Sequence, residues 1–462
     1  MNVNGIKMRM MASNPKETAM DWIDNHREQI AKMNDEIWNY AEPALEEFKS
    51  SKLLADELES SGFQVTRKIA SLSTAFMATF GSGSPVIGII AEYDALPGLS
   101  QKAVTYRAPV IAGGPGHGDA HHCYGVASTA AALALKEAMK QHGLMGTIKL
   151  FGTPAEETLY GKVEMANAGS FDGLDAVLSW HPGAENTVRV GSSLANNSVK
   201  FVFHGKPTHP GISPELGVNA LSALEVMETA VSLLREHFPE AVRVHRVITD
   251  GGKAPNVMPE RAESWYFVRA PTRPMVDSVY ARLVEAAKGA AQAVGTTVDI
   301  ELICGVREVL PNKALAEIQF QNLQLVGPPT FSEEEKTYAR QLQASMGGES
   351  KEPLRENISP LQTITGRYST DSAEVSWLAP LAGLYVTIFP QGVPPHSWQA
   401  TALGTTGIAH KAVLVAGKVL ACSGVDLLTQ PEQLSKIRDE FQEKTKGFKY
   451  SPCVPLNVSK IE

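Results

Sequence analysis

The order of apolar patterns along the 462 residues predicts an α/β protein: a mostly parallel sheet flanked by helices, interrupted by an inserted α+β domain of ferredoxin-like type. Three observations carry this. Short apolar runs alternate with helical periodicity up to Trp180; after Ser192 four strand-like and two helix-like segments follow; a strand and an Ala-rich helix return near Gly383. Residues 1–193 and 308–462 are therefore expected to form one discontinuous domain, and residues 194–307 the insert that splits it.

From Pro15 to about Phe63, apolar residues recur at three- and four-residue steps and Pro43 interrupts them, which reads as two helices. Ala75–Phe80 and Val86–Ala91 read as strands around the GSGSP turn, and the second runs into Glu92, Tyr93 and Asp94. Acids at the exit of a buried strand cost free energy unless they bind something. A Gly/Pro-rich loop, GGPGHGDAHHCYG at 113–125, precedes a helix over Val126–Gln141, the strand Thr147–Phe151, a helix over Gly161–Ala168 and the strand Ala176–Trp180. This alternation puts functional loops at the carboxyl ends of the strands. In the insert, 198–204, 242–250, 261–269 and 298–303 read as strands, and 217–237 and 276–294 as helices. Asn312 to Gly366 reads as polar and irregular, Gly383–Phe389 as a strand, Thr405–Cys422 as a helix and Pro431–Lys446 as a solvated amphipathic helix.

Composition excludes several function classes. With 42 Lys+Arg against 50 Asp+Glu, the net charge of −8 offers no footprint for nucleic acid. The Ala-rich run Ala127–Leu135 meets Lys136 and Glu137 well short of the roughly 20 residues of a membrane span. Lys7 and Arg9 are followed by Ser13, Asn14, Lys16 and Glu17 rather than an apolar stretch, so a cytoplasmic location is expected. Cys123, Cys304, Cys422 and Cys453 lack CxxC spacing, which suits a reducing compartment. No GxSxG elbow, phosphate loop or dinucleotide fingerprint is present.

Metal-compatible side chains stand in loops after predicted strands: Asp119 with His121 and His122, Glu156 with Glu157, His181, and, far along the chain, His396. Imidazole and carboxylate donors around an open position are what a hydrolytic divalent metal needs. Adjacent residues of an extended segment point to opposite sides, so one of Glu156 and Glu157 can face a metal and the other its water. His209 lies in the insert and reaches such a cluster only across a domain or subunit boundary.

The motifs AEYDALPG (91–98), GHGDAHHCYG (116–125), PAEE (154–157), SWHPG (179–183), HGKPTHPG (204–211), APNVMPE (254–260), STDSAEVSW (369–377) and PPHSWQA (394–400) resemble, in order and spacing, the aminoacylase/carboxypeptidase family of metal-dependent amidohydrolases. The nearest branch is that of aminobenzoyl-glutamate utilisation proteins of the B type. The resemblance implies that residues 1–193 and 308–462 form the catalytic, metal-binding domain and residues 194–307 a lid that also serves dimerisation, with Asp119, His121, Glu157, His181 and His396 as metal ligands and Asp119 where the branch usually has a bridging Cys. It implies Glu156 as the catalytic base, Asp94 as the residue orienting a ligand imidazole, and His209 and Asn256 as substrate-binding residues of the lid. One or two Mn or Zn ions per subunit and a homo-oligomer joined through the lid follow from the same resemblance.

Departures from the branch pattern shape the expected substrate, a small aromatic carboxylate. A carboxylate replaces the soft thiolate at Asp119, and His122 is expected to enter the pocket. Thr158, Leu159 and Tyr160 add bulk beside the metal, and Val218 stands where a basic residue is common. The favoured expectation is hydrolytic deamination of a ring amine, of the 5-nitroanthranilate to 5-nitrosalicylate type known in the family. The alternatives are cleavage of aminobenzoyl-glutamate or another N-acyl amino acid, and a non-catalytic binding protein.

Overall fold

The computed structural model describes residues 14–348 and 350–453, so Lys7, Arg9 and Ser13 lie outside the described residues. Helix α1 (Pro15–Asn25) starts in a capping box between Asn14 and Glu17. It stops at His26, whose ring stacks on Trp22 at 4.0 Å and whose Nδ1 lies 2.7 Å from the Trp22 carbonyl. Helices α2 (Arg27–Tyr40) and α3 (Phe48–Ser60) follow, so this region holds three helices instead of two. The break is made by a histidine, which carries no pattern signal of its own.

The chain continues through β1 (Gln64–Arg67), β2 (Phe76–Ser82), β3 (Val86–Ala91), α4 (His121–His142), β4 (Gly146–Gly152), α5 (Gly161–Asn167), β5 (Ala176–Gly183) and β6 (Thr187–Arg189). The insert holds β7 (Ala195–His204), α6 (Ala220–Leu234), β8 (Arg243–Asp250), β9 (Arg261–Ala270), α7 (Arg273–Val294) and β10 (Thr297–Val306). Then come α8 (Lys313–Val326), α9 (Glu333–Ala344), α10 (Ser372–Ser376), β11 (Leu381–Thr387), α11 (Trp398–Thr401), α12 (Gly407–Thr429) and α13 (Pro431–Lys444).

Seven strands form one sheet in the order β1-β2-β4-β3-β5-β11-β6. Its centre, β4-β3-β5-β11, is parallel, and the outer pairings are antiparallel. Helix α4 packs on β3, β4 and β5, and α8 on β6 and β11. Parallel strands covered by helices read as continuous apolar runs, as VIGIIA of β3 does. The second sheet, β10-β7-β9-β8, is wholly antiparallel. Val199, Phe201 and Phe203 of β7 alternate inward and share a core with Leu224 of α6 and Leu283 of α7, which is the ferredoxin-like arrangement.

Two expectations are corrected. Residues 312–366 are not irregular throughout: Asn312 caps α8, and a Ser332–Glu335 capping box starts α9. Helix α9 buries only Ala339, Leu342 and Gln343, too few apolar positions to register as a periodic stripe. Helix α12, moreover, is long and apolar enough to cross a membrane by length and composition. Its most apolar window is 72% buried, against α1, α4 and α8, and that packing accounts for its composition.

Candidate metal centre

The carboxyl ends of the parallel strands bring the chemistry together. Glu92 and Asp94 follow β3, Glu156 and Glu157 follow β4, and His396 lies beyond β11. Asp119 and His121 sit where the long loop enters α4, while His181 lies inside β5, not in a loop after it. The backbone is forced at these places: Ala120, Ala155, Leu159 and His396 all have positive φ, at 57°, 59°, 58° and 58°. Such residues cost of order 1–3 kcal/mol each and persist only where the surroundings over-determine them. Gly161 permits the tight return after the two glutamates, since a Cβ there would lie 1.8 Å from the Pro154 carbonyl oxygen.

His121 is fully buried, and its Nδ1 lies 2.7 Å from Asp94 Oδ1. A carboxylate accepts only, so Nδ1 carries the proton and donates. Its Nε2 is buried with no hydrogen-bond partner. Around that atom stand Glu92 Oε2 at 3.5 Å and Asp119 Oδ2 at 3.8 Å. Asp119 Oδ2 is also 3.6 Å from His181 Nε2 and 3.5 Å from His396 Nε2, and His396 Nε2 is 3.3 Å from Glu157 Oε2. Three groups of donors have ligand atoms within 4.8 Å of one another: Glu92–His121–His181, Asp119–Glu157–His396 and the all-carboxylate Glu92–Glu156–Asp371. His396 is 54% exposed and closes the outer side.

The electrostatics are those of crowded acids. Burial, with Glu92 and Asp371 nearby, pushes Glu156 well above the usual carboxylate range. Burial, with Asp119, Asp94 and Glu156, does the same to Glu157 despite His121. Burial also opposes ionisation of Asp119, but His181, His396 and His121 outweigh it and hold the group at about 2. Asp94 likewise stays ionised against burial, through His121, the Glu157 amide that donates to it at 2.9 Å, and Lys162.

Residues with little or no signal in the sequence support this cluster. Lys162, fully buried on α5, lies 2.8 Å from Glu92 Oε1 and 2.6 Å from Asp371 Oδ1. Glu47, also buried, accepts from the Ala155 and Leu45 amides at 2.9 and 3.0 Å and from Thr74 Oγ1 at 2.9 Å. Glu92 carried a signal, since it stands with Asp94 among the acids at the exit of β3. Lys162 and Glu47 carried none, and Asp371 none beyond lying in the STDSAEVSW motif.

Other expected residues fall elsewhere. His122 does not enter the pocket: its Nε2 contacts the Gly404 carbonyl at 3.0 Å and its ring packs on His117 at 4.6 Å. Adjacent residues on a helix diverge by about 100°, so His121 facing the cluster turns His122 away. Leu159 is buried against Val163, Cys304 and Val306 at the foot of the lid, Tyr160 packs against the main core, and Thr158 Oγ1 donates to the Ala155 carbonyl. The bulk at 158–160 is thus spent largely on structure. His209 and Asn256 lie exposed on lid loops.

The residues fit a divalent metal ion. The donor set is imidazole and carboxylate, one imidazole nitrogen is buried without a partner while its other nitrogen is fixed by Asp94, and the acids repel until a cation is supplied. An α/β domain carrying such a centre, interrupted by a ferredoxin-like lid, defines a two-domain metal-dependent hydrolase. Residues 195–294 match the family model described as a peptidase dimerisation domain. The chain is 36% identical to the B-type subunit of p-aminobenzoyl-glutamate hydrolase from Escherichia coli (strain K12), across 95% of this chain and 97% of that protein. It is 29% identical to Xaa-Arg dipeptidase of Mus musculus, across 93% and 92%. The fold matches a dinuclear metal binding peptidase of the M20 family from Bacillus subtilis with a TM-score of 0.59 at 18% identity, covering 88% of this chain and 99% of that one. The chain belongs to the M20 family of metal-dependent hydrolases, which act on amide and peptide carbon–nitrogen bonds. The preference for ring deamination is corrected accordingly. Its premise, a pocket crowded by His122 and Tyr160, does not hold, and the similar proteins are hydrolases of amide-linked substrates by name.

Proposed function

We propose that this protein hydrolyses the amide joining an aminobenzoyl-type acyl group to an amino acid, acting in the cytoplasm as a homo-oligomer joined through its lid. The observation that carries the reading is the buried, unpartnered His121 Nε2, set by Asp94 amid Glu92, Asp119 and His181, with Glu156 alongside. The similarity to p-aminobenzoyl-glutamate hydrolase supports an amide over a ring amine as the scissile bond.

Asp119, His121, Glu157, His181 and His396 would hold Zn or Mn, and two histidine-containing donor groups, with Asp119 of one lying 3.6–3.8 Å from the imidazoles of the other, favour two ions over one. Such ions supply Lewis acidity and acidify water at neutral pH. Glu156, raised well above the usual carboxylate range by burial and by its acidic neighbours, is suited to take the proton of the attacking water and return it to the leaving nitrogen. Asp94 keeps the His121 ring in one tautomer and orientation. His209 and Asn256 would bind the substrate from the lid of the same or a neighbouring subunit.

The test compares release of p-aminobenzoate from p-aminobenzoyl-glutamate with release of ammonia from anthranilates. Acyl cleavage that disappears in Glu156→Gln, with metal retained, is the expected result. Ammonia release without acyl cleavage overturns the reading.

A further inference from the structure

Two chain segments join the lid to the rest of the molecule, 190–194 and 307–311, and they are held by different means. The first is held backbone to backbone: the Val190 amide donates to the Gln362 carbonyl at 2.7 Å, Gly366 to Ser192 at 2.8 Å and Leu194 to Tyr368 at 2.8 Å. The second depends on side chains. The Arg307 amide donates to Glu374 Oε1 at 2.7 Å, Val309 to Ser193 Oγ at 3.1 Å and Leu310 to Ser376 Oγ at 2.9 Å. Glu374 and Ser376 belong to α10, whose N-cap residue Asp371 holds Lys162 and through it Glu92. A helix of five residues does not stand alone, so α10 is fixed by what it holds.

The segment after α13 closes this junction. It forms no helix or strand among the described residues, and Gly447, at φ 78°, lets it turn. Arg307 is buried; its guanidinium lies 2.7 Å from Glu374 Oε2, donates to the Ser451 carbonyl at 2.6 Å and stands 3.0 Å from Cys453 Sγ. The same group is 5.0 and 5.5 Å from the ring centroids of Tyr450 and Phe448. The Tyr450 hydroxyl donates to Glu374 Oε2 at 2.8 Å, and the Phe448 ring packs at 4.6 Å on Trp377, whose Nε1 donates to the Glu308 carbonyl at 2.8 Å. A buried ion pair holds well only when its remaining donors and lone pairs are filled. Ser451 and Tyr450 fill them.

We infer that residues 448–453 form a strap that fastens the second lid connection to α10 and restrains the lid, which swings freely only when the strap lifts. Its hold is made by side chains and one carbonyl, so it lifts without unfolding any helix or strand. Lifting opens the Arg307–Glu374 pair to water and withdraws Phe448 from Trp377, which loosens Arg307 through Leu310 together. The lid carries His209 and Asn256, so its freedom sets how those residues approach the metal centre, whichever bond is cleaved there.

Hydrogen exchange of the full chain, read by mass spectrometry, compares the parent with Phe448→Ala and Tyr450→Phe. Amides of 307–310 are expected to exchange about tenfold faster in Phe448→Ala and about threefold faster in Tyr450→Phe, the milder change that serves if the first variant does not fold. The deciding readout is the first connection, with which residues 448–453 share no hydrogen bond or ring contact among the described residues. Leu194 and Gly366 should speed up along with 307–310, while α4 and the β7–β9 core of the lid keep parent rates. Iodoacetamide labelling of Cys453, half-buried where Cys123, Cys304 and Cys422 are buried, reports the lifting itself and should rise at least about threefold in both variants. Parent rates at 307–310, a rise confined to 307–310, a uniform rise through both domains, or labelling of Cys453 at the parent rate each overturns the strap.

Discussion

Replacing Asp94 by Asn tests whether the acid after β3 works through His121. Asp94 is 1% exposed, so the isosteric amide keeps the packing. The carboxylate accepts two hydrogen bonds, from His121 Nδ1 at 2.7 Å and from the Glu157 amide at 2.9 Å. An asparagine has one oxygen and turns its NH₂ toward the second donor, so one charge-assisted bond, worth about 2 kcal/mol, is lost. The same change frees His121 to take the other tautomer, which removes Nε2 as a donor atom. At about 1.4 kcal/mol per factor of ten, metal affinity should fall about 30-fold, within the range for residues that orient a ligand imidazole. Titration of the apoprotein against a competing chromophoric chelator reads this directly, with circular dichroism to check folding. An Asp94→Asn protein that binds zinc as tightly as the parent refutes the assignment of Nε2 as a ligand atom set by Asp94.

The remaining predictions concern the base, the buried cation and the acid beneath the turn. Glu156→Gln should lower kcat by about 10²–10⁴ while metal analysis finds the parent stoichiometry, whereas His121→Ala should lose metal as well. Lys162→Met strands Glu92 and Asp371 without their shared cation and should cost about 3–5 kcal/mol in denaturant unfolding, since breaking a buried pair leaves uncompensated charge. Glu47 is pushed up to about 8 by burial and by Asp94. Its folded-state value lies above the unfolded one, so its contribution is complete below the unfolded value and fades as pH rises through about 8. Glu47 should therefore account for a loss of stability of the metal-free protein of about 1.4 kcal/mol for each pH unit between about pH 5 and 8, beside that from Glu156 and Glu157, and Glu47→Gln should reduce the slope by that amount in urea titrations. A slope unchanged in the variant would assign it to other groups.

Much of this was legible in linear order. The alternation of buried strands and helices, the period change at the insert, and the types of donor at 119, 121, 156, 157, 181 and 396 depend on short-range pattern and side-chain chemistry, which a single chain displays. The break at His26 and the polar helix α9 were not, because a stacked ring and a capping box leave apolar periodicity almost unmarked.

What only the tertiary structure decided is direction and partnership. Helical rotation sends His121 to the cluster and His122 to Gly404. Packing gives the bulk at Leu159 to the foot of the lid. Chain segments some two hundred residues apart join Lys162 to Asp371, and the segment after α13 reaches back some 140 residues to Arg307. The physical reason is the same in each case: a residue's type sets what it can bind, but its partners are chosen by long-range packing, to which neighbouring sequence holds no key.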